Sequence, residues 1–146
     1  MEEFLSLLEA YRIEVIADVR RFPTSKFKRF QQENLEASLN HRGIDYHHIV
    51  ELGGYRKGGY KKYMETEDFD TGLCYVEQLA SANRVAIMCA ELLFSQCHRR
   101  FIADALHLRG HAVIHIIDDK RSDEHRSRAG EHRGKTLDAF FSDLIL

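Results

Sequence analysis

Proline occurs once in 146 residues, at Pro23, and no apolar run approaches the roughly eighteen residues that span a membrane. The first scarcity argues against a proline-rich disordered chain and the second against a transmembrane helix. With 44% hydrophobic and 30% charged residues, the composition is that of a globular domain. An excess of either charge is also missing. A net charge of -2 gives no overall bias toward nucleic acid or a membrane surface. Cysteine is scarce and odd in number: Cys74, Cys89 and Cys97 suggest reduced thiols in a cytoplasm rather than a disulfide framework. The start, Met1-Glu2-Glu3, is acidic where a signal peptide is basic. The length suits one domain over 1–146 with one sizeable core, and no internal repeat is apparent.

Helical and strand periodicities alternate along the chain. Phe4, Leu5, Leu7, Leu8 and Tyr11 predict an amphipathic helix over 2–12, and 14–19 reads as a first strand delivering Asp18, Arg20 and Arg21 at its carboxyl end. Residues 31–42 should be a helix with Leu35 and Leu39 inward, closed by Gly43, followed by a second strand over 44–50. Thr66 is placed to cap a helix whose buried stripe is Phe69, Leu73, Val76 and Leu79, with Cys74 beside it as a small buried hydrophobe. A third strand spans 85–88. Ser95 is a good N-cap for the next helix, which puts Cys97, His98 and Arg99 in its first turn and buries Phe101, Ile102, Ala105 and Leu106. Gly110 ends that helix, and a fourth strand over 112–117 is stopped by Asp118-Asp119. Residues 118–135 read as a polar excursion or lid, and 136–146 as an amphipathic helix able to dock on its own domain or on a second copy. The whole predicts an α/β domain: an open, mostly parallel sheet of about four strands with helices on both faces.

Two loops combine positive charge with special backbone or rings. Residues 20–30 carry Arg20, Arg21, Lys26, Lys28 and Arg29, interleaved with Phe22, Phe27 and Phe30, with no acidic residue. Cations neutralise phosphates and rings stack on bases, so the alternation suits a nucleotide or a single strand; the plainer reading is a solvated loop with buried phenylalanines. Residues 51–60 hold Gly53, Gly54, Gly58 and Gly59, four glycines in seven positions, beside Arg56, Lys57, Lys61 and Lys62. Glycine lets backbone N–H groups approach an anion, although the pattern is neither a P-loop nor a dinucleotide fingerprint.

The densest chemistry lies in 85–99, where Cys89-Ala90-Glu91 is followed, eight residues after the first thiol, by Cys97-His98-Arg99. This resembles the signature of the domain of unknown function 488 family. Asp18-Val19-Arg20, Pro23, Ser25, Leu52-Gly53-Gly54 and Tyr63-Met64 match the same family in the same order, a likeness spanning roughly 16–117. Phe94 stands where family members usually carry a proline between the cysteines. The resemblance implies a fold and a residue set but no reaction.

In open α/β sheets ligands bind beyond the carboxyl ends of the strands. Asp18, Arg20, Glu51, Gly53, Cys89, Glu91 and Asp118 are expected to gather there. In the favoured reading Cys89 or Cys97 is a reactive thiolate of a transferase or hydrolase, His98 transfers the proton and Glu91 orients a neighbour. Asp18, Arg20, Ser25, Gly53, Gly54 and Arg99 then form the site for a small anionic molecule or nucleotide, and no cofactor is invoked. The layout is similar to rhodanese-like sulfur transferases at fold level only. Ser95 occupies the place, six residues after Cys89, where cysteine phosphatases carry arginine. The alternatives are a nucleotide or nucleic-acid binding module using 20–30 and 53–63 without catalysis, and a metal site on Cys89, Cys97 and His98, whose thiol spacing is longer than that of zinc knuckles. His47-His48 lie on a strand and face opposite ways. A homodimer through the terminal helix is the expected assembly, if one forms, and the expected location is cytoplasmic, without membrane association.

Overall fold

The structure is a computed structural model; it describes residues 1–89 and 98–126, and the backbone of 140–144. The four expected strands form as β1 Val15–Asp18, β2 Asp45–His48, β3 Val85–Met88 and β4 Ala112–Ile116. Helices α1 Glu2–Ala10, α2 Gln32–His41, α3 Tyr60–Tyr63, α4 Glu67–Ala80 and α5 Arg99–Leu108 lie between and before them. Local signals end these elements as expected. Thr66 Oγ1 accepts the Phe69 N–H at 3.3 Å to cap α4, and Gly43 follows α2 at a φ of +75°. Helix α5 is described from Arg99, with His98 as its N-cap; Ser95, the expected cap, lies outside the described residues.

The sheet is larger than expected. Two further strands, β5 Ser122–Glu124 and β6 Phe140–Leu144, give the order β2-β1-β3-β6-β4-β5. All neighbours are parallel except β4 and β5. The excursion after Asp118 is thus partly an antiparallel edge strand. The terminal segment expected to be a helix contributes a central strand instead, and the helical face proposed for a homodimer is not formed over 140–144. The crossover from β3 through α5 to β4 skips one strand position. β6 fills it, pairing Val85 with Phe141 through Met88 with Leu144 on one side, and Ala112 with Phe140 through Ile116 with Leu144 on the other. A strand in that slot satisfies the inner N–H and C=O groups of both neighbours, which outweighs a short apolar run's ambiguous preference for helix.

Strand side chains alternate between two cores. Val15, Ala17 and Val19 of β1 and its exit, with Val85, Ile87 and Cys89, meet Phe69, Leu73 and Val76 of α4 and Ile102 and Leu106 of α5. Ile16, Ala86 and Met88 face the other way, onto Leu5 and Leu8 of α1 and Leu35 and Leu39 of α2. Helices therefore cover both faces. The chain leaves β1 toward β2 and leaves β3 toward β4, on opposite sides. The carboxyl ends of β1 and β3 therefore flank the switch point where such sheets leave a crevice.

Candidate functional site

Alternation sorts the residues at that switch point onto different faces. Asp18 pairs in register with Met88, and the next residue on each strand, Val19 and Cys89, points to the α4–α5 side. Asp18 and Arg20 form a closed nest toward the α1–α2 side. The Arg20 Nε donates to Asp18 Oδ1 at 2.9 Å, Nη2 donates to Oδ2 at 2.7 Å and Nη1 donates to the Phe30 carbonyl at 2.8 Å. Tyr46 adds its hydroxyl to Asp18 Oδ2 at 2.5 Å, and both charged side chains are buried. Burial by itself lowers the Arg20 pKa, but the hydrogen bonds and charge of Asp18 outweigh it and hold the guanidinium above its ordinary value. Burial, and then the Asp18 charge, push the Tyr46 phenol far up, so it remains a donor. Arg20 and Asp18 are thus tied to each other and to backbone, a correction to the expectation that Arg20 meets an anion beside Cys89. Ser25 is engaged within its own loop, where its Oγ accepts the Phe27 N–H at 3.1 Å.

On the other face Cys89 and His98 meet. Cys89 is 5% exposed, and its Sγ lies 3.9 Å from His98 Nδ1. The opposite nitrogen, Nε2, lies 3.1 Å from the Val19 carbonyl at the exit of β1. The His98 ring also lies against Tyr60, with centroids 5.2 Å apart, and a Cβ at Gly54 would come within 3.1 Å of Nδ1. Gly54 is therefore the residue whose lack of a side chain admits the imidazole. Gly53 does the same for backbone: a Cβ there would stand 2.7 Å from the Arg21 Cα. The two glycines bring the 53–59 loop against both the end of β1 and His98.

That loop makes one wall of a groove of about 640 Å³ lined by Arg21, Tyr55, Arg56, Lys57, Lys62, Tyr63 and Thr66. Arg21 donates to the Tyr55 carbonyl across it. Arg56 lies over the Tyr63 ring at 4.0 Å and donates to the Gly53 carbonyl at 2.9 Å, which fixes the loop. Tyr63 hydrogen-bonds the Glu51 carbonyl at 2.6 Å, and burial raises its pKa. The short α3 presents Tyr60 to His98 and Lys62 and Tyr63 to the groove, so the two features share a wall.

Of the residues expected at the site, Cys89, His98, Gly53 and Gly54 come together. Asp18 and Arg20 sit on the opposite face, and Arg99 is fully buried in the first turn of α5. Glu91 and Cys97 lie outside the described residues. Arg21, Tyr55 and Tyr60 were not singled out as site residues from sequence. Period-two alternation puts Arg21 on the Val19 and Cys89 side, which was a usable signal once the register was known. Cys74, expected to be buried, is exposed beside Arg109. Phe22 and Phe27 are exposed rather than packed, while Phe30 meets Phe4 edge-on at 5.5 Å. Elsewhere, His125 bridges Asp104 at 2.7 Å and His115 at 2.8 Å. Among the described residues no group of three or more His, Cys, Asp and Glu could hold a metal ion, and no helix is long and apolar enough to cross a membrane.

No curated protein and no solved structure matches the chain. A family model does match, over residues 1–106, and that range contains β1 to β3, both glycine contacts, Cys89 and His98. The chain accordingly belongs to the family described as domain of unknown function DUF488.

Proposed function

We propose that the protein is a thiol-dependent transferase or hydrolase acting on a phosphate-bearing or otherwise anionic substrate, with Cys89 as nucleophile and His98 as its base. One observation carries this reading: His98 is held by a carbonyl on one side and faces sulfur on the other. A carbonyl oxygen only accepts, so the neutral imidazole bears its proton on Nε2 and turns the Nδ1 lone pair toward Sγ. Transfer of the thiol proton to Nδ1 leaves a thiolate beside an imidazolium whose Nε2–H stays on Val19. The 3.9 Å separation is long for a proton transfer, as such contacts often are before substrate binds. A cysteine kept only for its volume has no use for an oriented base. The cations of the adjoining groove supply the attraction for an anion at the same rim.

The test is alkylation of the folded protein across pH, read at Cys89 by peptide mass, because Cys74 is exposed and labels as well. Cys89 should react with an apparent pKa well below about 8.5, and His98→Ala should return it toward that value. Gly54→Ala keeps both groups but pushes the ring, and should slow labelling at neutral pH while the fold survives. Ordinary titration of Cys89, or labelling only on unfolding, defeats the proposal.

A further inference from the structure

We infer that the groove between Arg21 and the 55–62 segment binds single-stranded nucleic acid, with phosphates on Arg21, Lys57 and Lys62 and a base on the Tyr55 ring. This names the substrate class of the thiol site and, for the chemistry alone, rests on the reading above.

Three observations carry it. First, the seven lining residues include four cations and no carboxylate. The chain as a whole is slightly acidic, so this concentration of positive charge is local. Second, Tyr55 takes a φ of +57°, in the left-handed region that a bulky residue rarely adopts, and is 83% exposed. Arg21 holds its carbonyl, so the backbone is fixed in an unfavourable conformation that presents an aromatic ring to water. Such strain collects where a ligand uses the result. Third, Phe22, the chain neighbour of Arg21, is 63% exposed, with the Arg21 guanidinium 5.4 Å from its ring centroid.

Rings with open faces beside cations match unstacked bases on a phosphodiester chain, whereas a duplex hides its base faces. Because the cations come from both walls, an extended backbone engages more of them than a mononucleotide does.

Binding is measured on the full chain carrying Cys89→Ser, which removes the thiol, by fluorescence anisotropy with a labelled oligonucleotide of about 16 nucleotides. Saturable binding that weakens with salt is expected, tighter for the single strand than for its duplex. Lys57→Ala and Lys62→Ala should each flatten the log–log salt slope by about 0.7. Tyr55→Ala should weaken binding roughly 5- to 140-fold and leave the slope unchanged. All three side chains are exposed, so the substitutions should leave the fold intact, which melting curves of the variants are to check. No saturable binding at low salt, equal affinity for the duplex, displacement by a mononucleotide at equal phosphate concentration, or full affinity in Tyr55→Ala each overturns the inference. An ordinary thiol at Cys89 combined with the expected binding removes the chemistry and keeps the groove. The opposite pair of results removes the groove and keeps the chemistry.

Discussion

Asp18 shows how two charges can be taken from water without losing their partners. Its carboxylate accepts from the Arg20 backbone N–H at 3.1 Å, the Arg20 guanidinium and the Tyr46 hydroxyl, while Arg20 spends its remaining donors on the carbonyls of Phe30 and Thr24. Arg20 thereby ties the end of β1 to the loop that follows, and His48 joins from β2 through the Arg20 carbonyl at 2.6 Å. Asp18→Asn leaves the guanidinium charge buried without its counter-charge and should cost about 3–5 kcal/mol. Tyr46→Phe removes one hydrogen bond to a charged acceptor and should cost about 1.5–3 kcal/mol. Urea unfolding of the two variants measures both, and a fully stable Asp18→Asn would refute the structural role given to the nest. Asp18 and Arg20 are conspicuous in the sequence as a polar pair at a strand end. Their commitment to each other was not legible there, because it also depends on Tyr46 from β2 and the carbonyls of Phe30 and Thr24 closing around the pair.

The turn after β4 is the clearest case at the level of elements. Asp118 Oδ1 accepts the Lys120 N–H at 2.9 Å and the Arg121 N–H at 2.7 Å, and Oδ2 accepts from Arg121 Nε at 2.6 Å. This reverses the chain and starts β5 against β4. The Lys120 backbone bond, and then the Arg121 side chain, hold the Asp118 carboxyl below its ordinary value of 3.8. A depressed carboxylate pKa stabilises the fold above the unfolded value, and that contribution is lost as pH falls through the folded one. Acidification below about 3.8 should therefore loosen the β4–β5 turn, seen as faster amide exchange at Lys120 and Arg121; protection that stays constant to lower pH would contradict this. Asp118-Asp119 was readable as a strand stop, yet the strand beyond it was not. Ser122–Glu124 has no apolar alternation, and its pairing is set by the turn. In the same way, Phe140–Leu144 has a composition that fits either helix or strand, and the vacant position between β3 and β4 decides the matter.

For the whole molecule, the family match ends inside α5 at residue 106, so β4, β5 and β6 lie beyond it. The last of these enters the sheet at its middle, between β3 and β4, and its pairing with β3 closes more than fifty residues of chain, as from Val85 to Phe141. Contacts of that separation form late and slowly. Truncation before Phe140 should expose two inner strand edges, lower the melting temperature by at least about 10 °C and promote association. A monomer with unchanged melting, by size exclusion and thermal unfolding, would show that β6 is dispensable. Local sequence was enough to establish an α/β chain, the first four strands and the cap or turn positions Gly43, Thr66, Gly110 and Asp118, because those properties depend on neighbours within a few residues. It also singled out Cys89 and His98, whose chemistry is intrinsic to the side chains. Which face each strand residue takes at the switch point, Arg21 in place of Arg20 at the groove, the imidazole lodged against Gly54, and the terminal strand in the centre of the sheet were settled only in three dimensions. Each depends on groups far apart in sequence meeting across a register, and no local preference encodes that.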